Sequence, residues 1–295
     1  MTQLWTVGIV GVGQVGLPIS RNVMQAGYRA VGFGKPVPDE FRQQGGEVVS
    51  SVAELVSRAD TVLLCLPNEA AEREVFEGPV GLLQALKPGQ VVVELGTYKR
   101  EFKEAQAKRI EAHGGHMLEA EISGSPPMIV ERRAALFLGG TPELIAQCKP
   151  VLDAITGIHF HIGPFGSAVA MKLVANYLVA VHTLAAAEAM NLGMRAGFTG
   201  EQVIEVIGKS AGSSTMFTIR APFMASRKFV PAPGPVATLE KYLDMAGELA
   251  ASLGCATPLF SAAAPYFRRA SNLGMRQEDI SAVIKLIEAD SRAVS

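Results

Sequence analysis

The 295-residue chain has no excess of charge of either sign: 27 Lys and Arg face 28 Asp and Glu, a net of −1. That balance gives no attraction for a polyanion or an anionic bilayer, so neither nucleic acid nor a membrane surface is an expected partner. Cysteine is scarce. Cys65, Cys148 and Cys255 are odd in number, far apart and never in a CxxC pair. This excludes a disulfide framework and fits a reducing, cytoplasmic compartment. Of the five histidines, His113 and His116 flank a Gly-Gly turn, and His159 and His161 alternate along an apolar run. Neither pair has a third ligand at metal spacing, so no metal site is expected. The sequence contains no GxSxG, HExxH or P-loop pattern. Residues 1–6, Met-Thr-Gln-Leu-Trp-Thr, lack the basic start of a secretory leader, and no signal peptide is expected there.

What is present is apolar surface, 48% of residues. That is ample for one large or two ordinary cores, with a surplus that points to contact between copies. Short β-branched runs at 5–10, 27–33, 47–49, 61–66, 90–95, 116–122, 134–138 and 157–162 predict buried strands. Helical patterns at 17–26, 52–58, 101–113 and 142–152 separate several of them. That alternation predicts a doubly wound, mostly parallel α/β sheet over residues 1–163. After Gly163 the strand signals stop. Helices are predicted at 166–195, 199–209, 213–226, 236–253, 258–273 and 277–290, giving an all-helical domain over 164–295.

Gly11-Val-Gly13-Gln14-Val15-Gly16 follows the first strand and opens a helix, the context in which GxGxxG binds a dinucleotide. Gly11 serves the tight turn, Gly13 the approach of pyrophosphate, and Gly16 the packing of helix on strand. The next strand ends Phe33-Gly34-Lys35-Pro36, without the acid that usually bonds the ribose 2′-hydroxyl of NAD. Lys35 suits a 2′-phosphate and favours NADP; its alternative is an exposed loop lysine. Cys65-Leu66-Pro67-Asn68 and Leu95-Gly96-Thr97 end later strands, where ligands bind in open α/β sheets. Leu66 and Pro67 are therefore candidates to pack near the dinucleotide, and the Thr97 hydroxyl to reach the nicotinamide ribose. Ordinary strand-end turns remain the alternative. Ser123, Gly124 and Ser125 offer backbone N–H groups and two hydroxyls, suited to a carboxylate, or form a plain Ser/Gly turn.

Between Ala154 and Ala187, Lys172 is the only Lys, Arg, Asp or Glu. An ammonium among Ala, Val, Leu and Met either snorkels to water or is there for a purpose. Asn176, four residues on, falls on the same helical face. A helix of this length spans roughly 45 Å. Its apolar composition suits a membrane span, but Lys172, Asn176 and His182 inside it favour a buried helix of a soluble protein.

Taken together, these residues resemble the β-hydroxyacid dehydrogenases. Gly11–Gly16 resembles the family's cofactor loop, and Glu119-Ala-Glu-Ile-Ser-Gly-Ser125 its substrate segment Asp-Ala-Pro-Val-Ser-Gly-Gly. Gly163-Pro-Phe-Gly-Ser-Ala-Val-Ala-Met-Lys172-Leu-Val-Ala-Asn176 resembles its GxxGxGxxxKxxxN segment, and Glu240-Lys241-Tyr-Leu-Asp-Met-Ala246 its Lys-Asp-Leu-x-Leu-Ala segment. The resemblance implies a Rossmann-type domain followed by an all-α domain on a long interdomain helix. It implies NAD(P)-dependent hydride transfer on a small hydroxy acid, with Lys172 as acid/base and Asn176 holding substrate. Ser123 and Gly124 would bind the substrate carboxylate, Thr97 the nicotinamide ribose and Lys241 the cofactor side; the assembly would be a homodimer or homotetramer. The sequence departs from the pattern at Ser125, at Glu121 in place of proline, at Arg132-Arg133 in place of Gly-Thr, and at Tyr242. Imine reductases share this architecture but usually lack the lysine, and a non-catalytic cofactor-binding module is the remaining alternative.

Overall fold

The first strand, β1 (Thr6–Val10), divides its side chains between two apolar layers in the computed structural model, which describes residues 5–78 and 80–293. Val7 and Ile9 join one core and Val10 the other, as a strand covered on both faces must arrange them. Residues 1–4 of the leader reading lie outside the described residues. Along the chain follow α1 (Gly16–Gln25), β2 (Arg29–Phe33), α2 (Asp39–Gln43), β3 (Glu47–Val48), α3 (Val52–Arg58), β4 (Thr61–Leu64), α4 (Glu69–Glu77) and α5 (Leu82–Ala85). Then come β5 (Val91–Glu94), α6 (Arg100–Ala112), β6 (His116–Ser123), α7 (Pro126–Val130), β7 (Ala135–Gly139), α8 (Pro142–Ile155) and β8 (His159–Gly163).

The strands form one sheet in the order β3-β2-β1-β4-β5-β6-β7-β8. Neighbours pair parallel except β6 with β7, so β7 and β8 run against the rest. The order reverses between β1 and β4. The carboxyl ends of β1, β4, β5 and β6 therefore lie in one row at a topological switch point, where open α/β sheets bind ligands.

Short helices absent from the sequence reading fill several connections. α4 carries only two strongly apolar residues, Val75 and Phe76, too few for a helical stripe, and is fixed by Asn68, whose side chain accepts from the Ala71 N–H at 2.9 Å. Pro126 and Pro127 follow the Ser123–Ser125 segment directly. They open α7, where a missing N–H costs nothing.

The chain divides into two units inside α9 (Ser167–Arg195), after Lys172. Among the described residues α9 alone is long and apolar enough, by length and composition, to cross a membrane. It is buried on one face only: Val169, Lys172, Leu173, Asn176 and Ala180 are inside, whereas Met171, Val174 and Leu178 are exposed. The second unit is helical: α10 (Gly200–Gly208), α11 (Thr215–Ser226), α12 (Val236–Ser252), α13 (Pro258–Asn272) and α14 (Ile284–Ala293). The last helix does not start at 277 as expected. Asp279 is buried and accepts from Arg220 at 2.5 Å and from the N–H and hydroxyl of Ser281, and this locks residues 280–283 into a 3₁₀ turn first.

Candidate active site

The glycine loop separates two kinds of glycine. A Cβ on Gly11 would lie 2.4 Å from the Cys65 carbonyl oxygen, and one on Gly16 would lie 2.1 Å from the Gly11 carbonyl oxygen. Both are closed to any side chain, and Gly11 also sits at φ +95°. Gly13 faces open space, with nothing within 4 Å of where a Cβ would be. The first and third glycines thus make the turn, and the second leaves room for a ligand. The helix behind the loop, α1, has no side-chain cap and no acid in its first turn. Its positive end is left for an anion. These residues fit a dinucleotide pyrophosphate.

The candidates at the strand ends line up along the same edge. Leu66 follows β4, and its carbonyl accepts from the Tyr98 hydroxyl at 2.8 Å; Pro67 beside it is exposed. Thr97 follows β5 and is buried. Ser123 ends β6. A Cβ at Gly124 would meet Ala134 at 2.7 Å, so the serines are separated by a position that admits only glycine. Ser125 precedes α7 without capping it, which leaves its hydroxyl for other use. Lys35 lies after β2 and pairs with Glu74 at 2.7 Å, both side chains about 70% exposed (71% and 69%). Such a pair is weak, but the carboxylate offsets part of the charge a 2′-phosphate would meet. Lys241 sits on α12 in the second unit.

The site also holds a charge cluster that the sequence reading missed. Glu94 ends β5 opposite Glu119 in the parallel register with β6, and Glu121 follows two residues on. The two-residue period turns all three to the α6 side of the sheet, with Val92 and Met117. Buried acids there need a cation or a proton, and α6 supplies the cation. Lys103, fully buried, lies 3.0 Å from Glu119 and 2.6 Å from Glu121. Burial pulls its amine down, and Glu121, Glu119 and Glu94 more than offset that pull. Glu119 accepts from the N–H groups of Gly166, Ala168 and Val169 at 2.9, 3.0 and 3.1 Å. It therefore caps α9, one turn before Lys172. Glu121 accepts from the Thr97 hydroxyl at 2.5 Å. Glu94 accepts from the Gly96 N–H at 2.5 Å, which ties it to the turn that presents Thr97. Acids inside Val91-Val-Val-Glu94 and His116-Met-Leu-Glu-Ala-Glu121 were the available signal, since a buried strand tolerates an acid only with a partner.

Glu94 is also influenced by Glu72 on α4. Burial pushes Glu72 up to about 7, against its hydrogen bond to Glu94 and the attraction of Lys103. Burial, and then Glu72, raise Glu94 well above the carboxylate range. Two buried acids acting on each other in this way favour the protonated form. A raised acid stabilises the fold fully below its unfolded value of 4.5 and loses that contribution as pH climbs to about 7. Stability should therefore fall by on the order of 3 kcal/mol over that window. Glu72→Gln, which keeps the shape without the charge, should flatten the slope; urea unfolding at a series of pH values measures it, and an unchanged slope would refute the part given to Glu72.

Lys172 is buried, and burial draws its amine down to about 8 although the Glu121 carboxylate pulls upward. Asn176 is one turn further along α9, with a buried amide nitrogen that has no hydrogen-bond partner among the described residues. A buried donor of this kind costs stability unless a ligand accepts from it.

Residues 6–163 match the family model described as the NAD binding domain of 6-phosphogluconate dehydrogenase. Residues 166–287 match the model described as NAD-binding of NADP-dependent 3-hydroxyisobutyrate dehydrogenase. The chain is 33% identical to L-threonate dehydrogenase of Cupriavidus necator over 283 residues, 95% of each chain. It is 27% identical over 293 residues to human mitochondrial 3-hydroxyisobutyrate dehydrogenase, 96% of this chain and 87% of that protein. Among solved structures, 3-hydroxyisobutyrate dehydrogenase from Salmonella typhimurium superposes with a TM-score of 0.87 at 29% identity, covering 96% of this chain and 99% of the other. An imine reductase from Myxococcus stipitatus, at 16% identity and a TM-score of 0.66 over 97% of this chain and 100% of the other, shares the fold.

Proposed function

Since the chain belongs to the β-hydroxyacid dehydrogenases and is an NAD(P)-dependent oxidoreductase, we propose that it interconverts a small β-hydroxy acid and its carbonyl partner with Lys172 as general acid/base. The observation that carries this reading is the pairing, one helical turn apart, of a buried amine drawn down to about 8 with a buried, unpartnered amide. When bound, the nicotinamide supplies or accepts the hydride. The Lys172 ammonium protonates the alkoxide that forms as a carbonyl is reduced, and the neutral amine takes the hydroxyl proton in the reverse direction. An amine near 8 populates both forms around neutrality. Asn176 donates its amide hydrogens to a substrate oxygen. Ser123, Gly124 and Ser125 hold the substrate carboxylate with hydroxyls and backbone N–H groups. Thr97 has committed its proton to Glu121, so it accepts a hydrogen bond from the nicotinamide ribose.

In the cofactor site Gly11, Gly13, Gln14, Val15 and Gly16 hold the pyrophosphate, with Leu66 and Pro67 beside the dinucleotide. The part played by Lys241 rests on its motif alone. Lys35 selects NADP over NAD. Lys35→Ala should raise the KM for NADPH roughly fivefold and spare NADH, the size of one exposed charge-assisted contact of about 1 kcal/mol; equal effects on both cofactors would count against it. A cytoplasmic homodimer or homotetramer completes the reading, supported by the exposed apolar stripe of Met171, Val174 and Leu178.

The test is nicotinamide consumption or formation with L-threonate, 3-hydroxyisobutyrate, glyoxylate, and succinic, methylmalonate and tartronate semialdehydes, beside an amine-plus-ketone arm. Turnover of a hydroxy acid or its carbonyl partner is expected. Turnover confined to the amine arm would favour an imine reductase instead.

A further inference from the structure

Three strand-end turns of the sheet unit are joined by direct contacts, and Tyr98 makes the central one. Its ring is buried, directly after Thr97. The hydroxyl lies 2.8 Å from the Leu66 carbonyl oxygen in the turn after β4. A carbonyl only accepts, so the hydrogen between the two oxygens is the tyrosine's. Leu66 in turn lies against the glycine loop: a Cβ at Gly11 would stand 3.3 Å from its side chain and 2.4 Å from the Cys65 carbonyl oxygen. The tyrosine ring fits across the β5 turn because position 96 is glycine. A Cβ there would lie 2.5 Å from both the phenol carbon and the hydroxyl oxygen of Tyr98. Phe102 of α6 meets the ring edge-on with centroids 5.4 Å apart. The Arg73 guanidinium of α4 lies over Phe102, 4.9 Å from its centroid. Packing thus fixes the ring, and the ring's hydroxyl fixes the Leu66–Pro67 peptide, whose proline has no N–H to tie the turn down by itself.

We propose that Tyr98 is a positioning residue of the dinucleotide site, holding the turns after β4 and β5 at the spacing that the nicotinamide half of the cofactor requires. The proposal rests on the reading that Leu66, Pro67 and Thr97 flank the dinucleotide, and Tyr98 acts through those three residues. Thr97 is its neighbour in the chain and is also held by Glu121, so the β5 turn stays fixed without the phenol hydroxyl. The β4 turn is tied to it through that hydroxyl. Once the tie is cut, the Leu66–Pro67 peptide is free to rotate and must be ordered again each time the cofactor binds, a cost that falls on affinity. In the same reading the adenosine half lies by Lys35 after β2, on the far side of β1 from these turns, and does not depend on the tie.

Tyr98→Phe keeps the ring against Gly96 and Phe102 and removes the hydroxyl alone. Titration calorimetry compares NADPH and NADH with their adenosine halves, 2′,5′-ADP and AMP. We expect the Kd of the preferred coenzyme to rise about fivefold, the size of one neutral hydrogen bond, while that of its adenosine half stays at the wild-type value. A role in folding alone would not divide the two ligands in this way. A folded Tyr98→Phe with the coenzyme Kd unmoved overturns the proposal. An equal loss for coenzyme and adenosine half, the mark of a general loosening, overturns it as well. Should Tyr98→Phe not fold, Gly96→Ala, whose methyl displaces the ring from the turn, carries the same expectation. Binding is read without turnover, so a wild type that binds coenzyme but reduces none of the carbonyl acids counts against the dehydrogenase reading and leaves the Tyr98 result standing.

Discussion

Lys172→Ala should lower kcat for the hydroxy-acid reaction by about 10²–10⁴-fold, the range for removal of a positioned general acid. NAD(P)H binding, followed by quenching or nicotinamide fluorescence, should stay within a small factor of wild type, because the glycine loop lies elsewhere on the sheet edge. The sign of the pH dependence follows from burial. With the amine drawn down to about 8, carbonyl reduction needs the ammonium and should decline above that value. Oxidation needs the free amine and should decline below it. Opposite limbs centred near one pH in the two directions would identify a single group. A Lys172→Ala enzyme as fast as wild type would make the lysine structural, and parallel limbs in both directions would assign the titration to another residue.

The second large effect is on stability. Lys103→Met should cost the sheet unit roughly 3–5 kcal/mol at pH 8, the range for removing one partner of a buried ion pair. The loss arises because Glu119 and Glu121, both fully buried, are left without their cation. Lowering the pH supplies protons in its place, so the penalty should shrink toward pH 5.5 or below. Trp5 is the chain's one tryptophan and packs edge-on to Tyr28 in the sheet unit, so urea unfolding followed by its fluorescence reads the relevant transition. A loss under about 1 kcal/mol at both pH values would mean that the cluster adds nothing to the fold beyond an apolar filling of equal volume.

The layered order of the chain was legible because each signal is local. Strand runs bounded by Gly and Pro, a glycine loop between strand and helix, and the end of strand signals at Gly163 give the sheet, the cofactor turn and the helical remainder without any long-range information. The antiparallel placement of β7 and β8 was not legible, since strand direction depends on how a connection crosses the sheet and not on the strand's own residues. Lys172 stood out for a related reason: one charge within an apolar run of more than 30 residues is visible on inspection.

Lys103 was invisible by the same logic. It sits in Glu101–His113, a stretch rich in charge, and reads there as one more solvated lysine. Only the packing of α6 on β6 carries it against Glu119 and Glu121 and makes it the cation that those two buried carboxylates require. Glu121 likewise read as a departure from a motif, when its surroundings make it the partner of both Thr97 and Lys103. The sequence by itself determined which residues can carry dinucleotide binding and proton transfer, because backbone freedom and an isolated amine are properties of one residue and its near neighbours. The tertiary structure alone decided which charges meet, because Coulomb energy in a low-dielectric interior depends on distance across elements that sequence separation does not record.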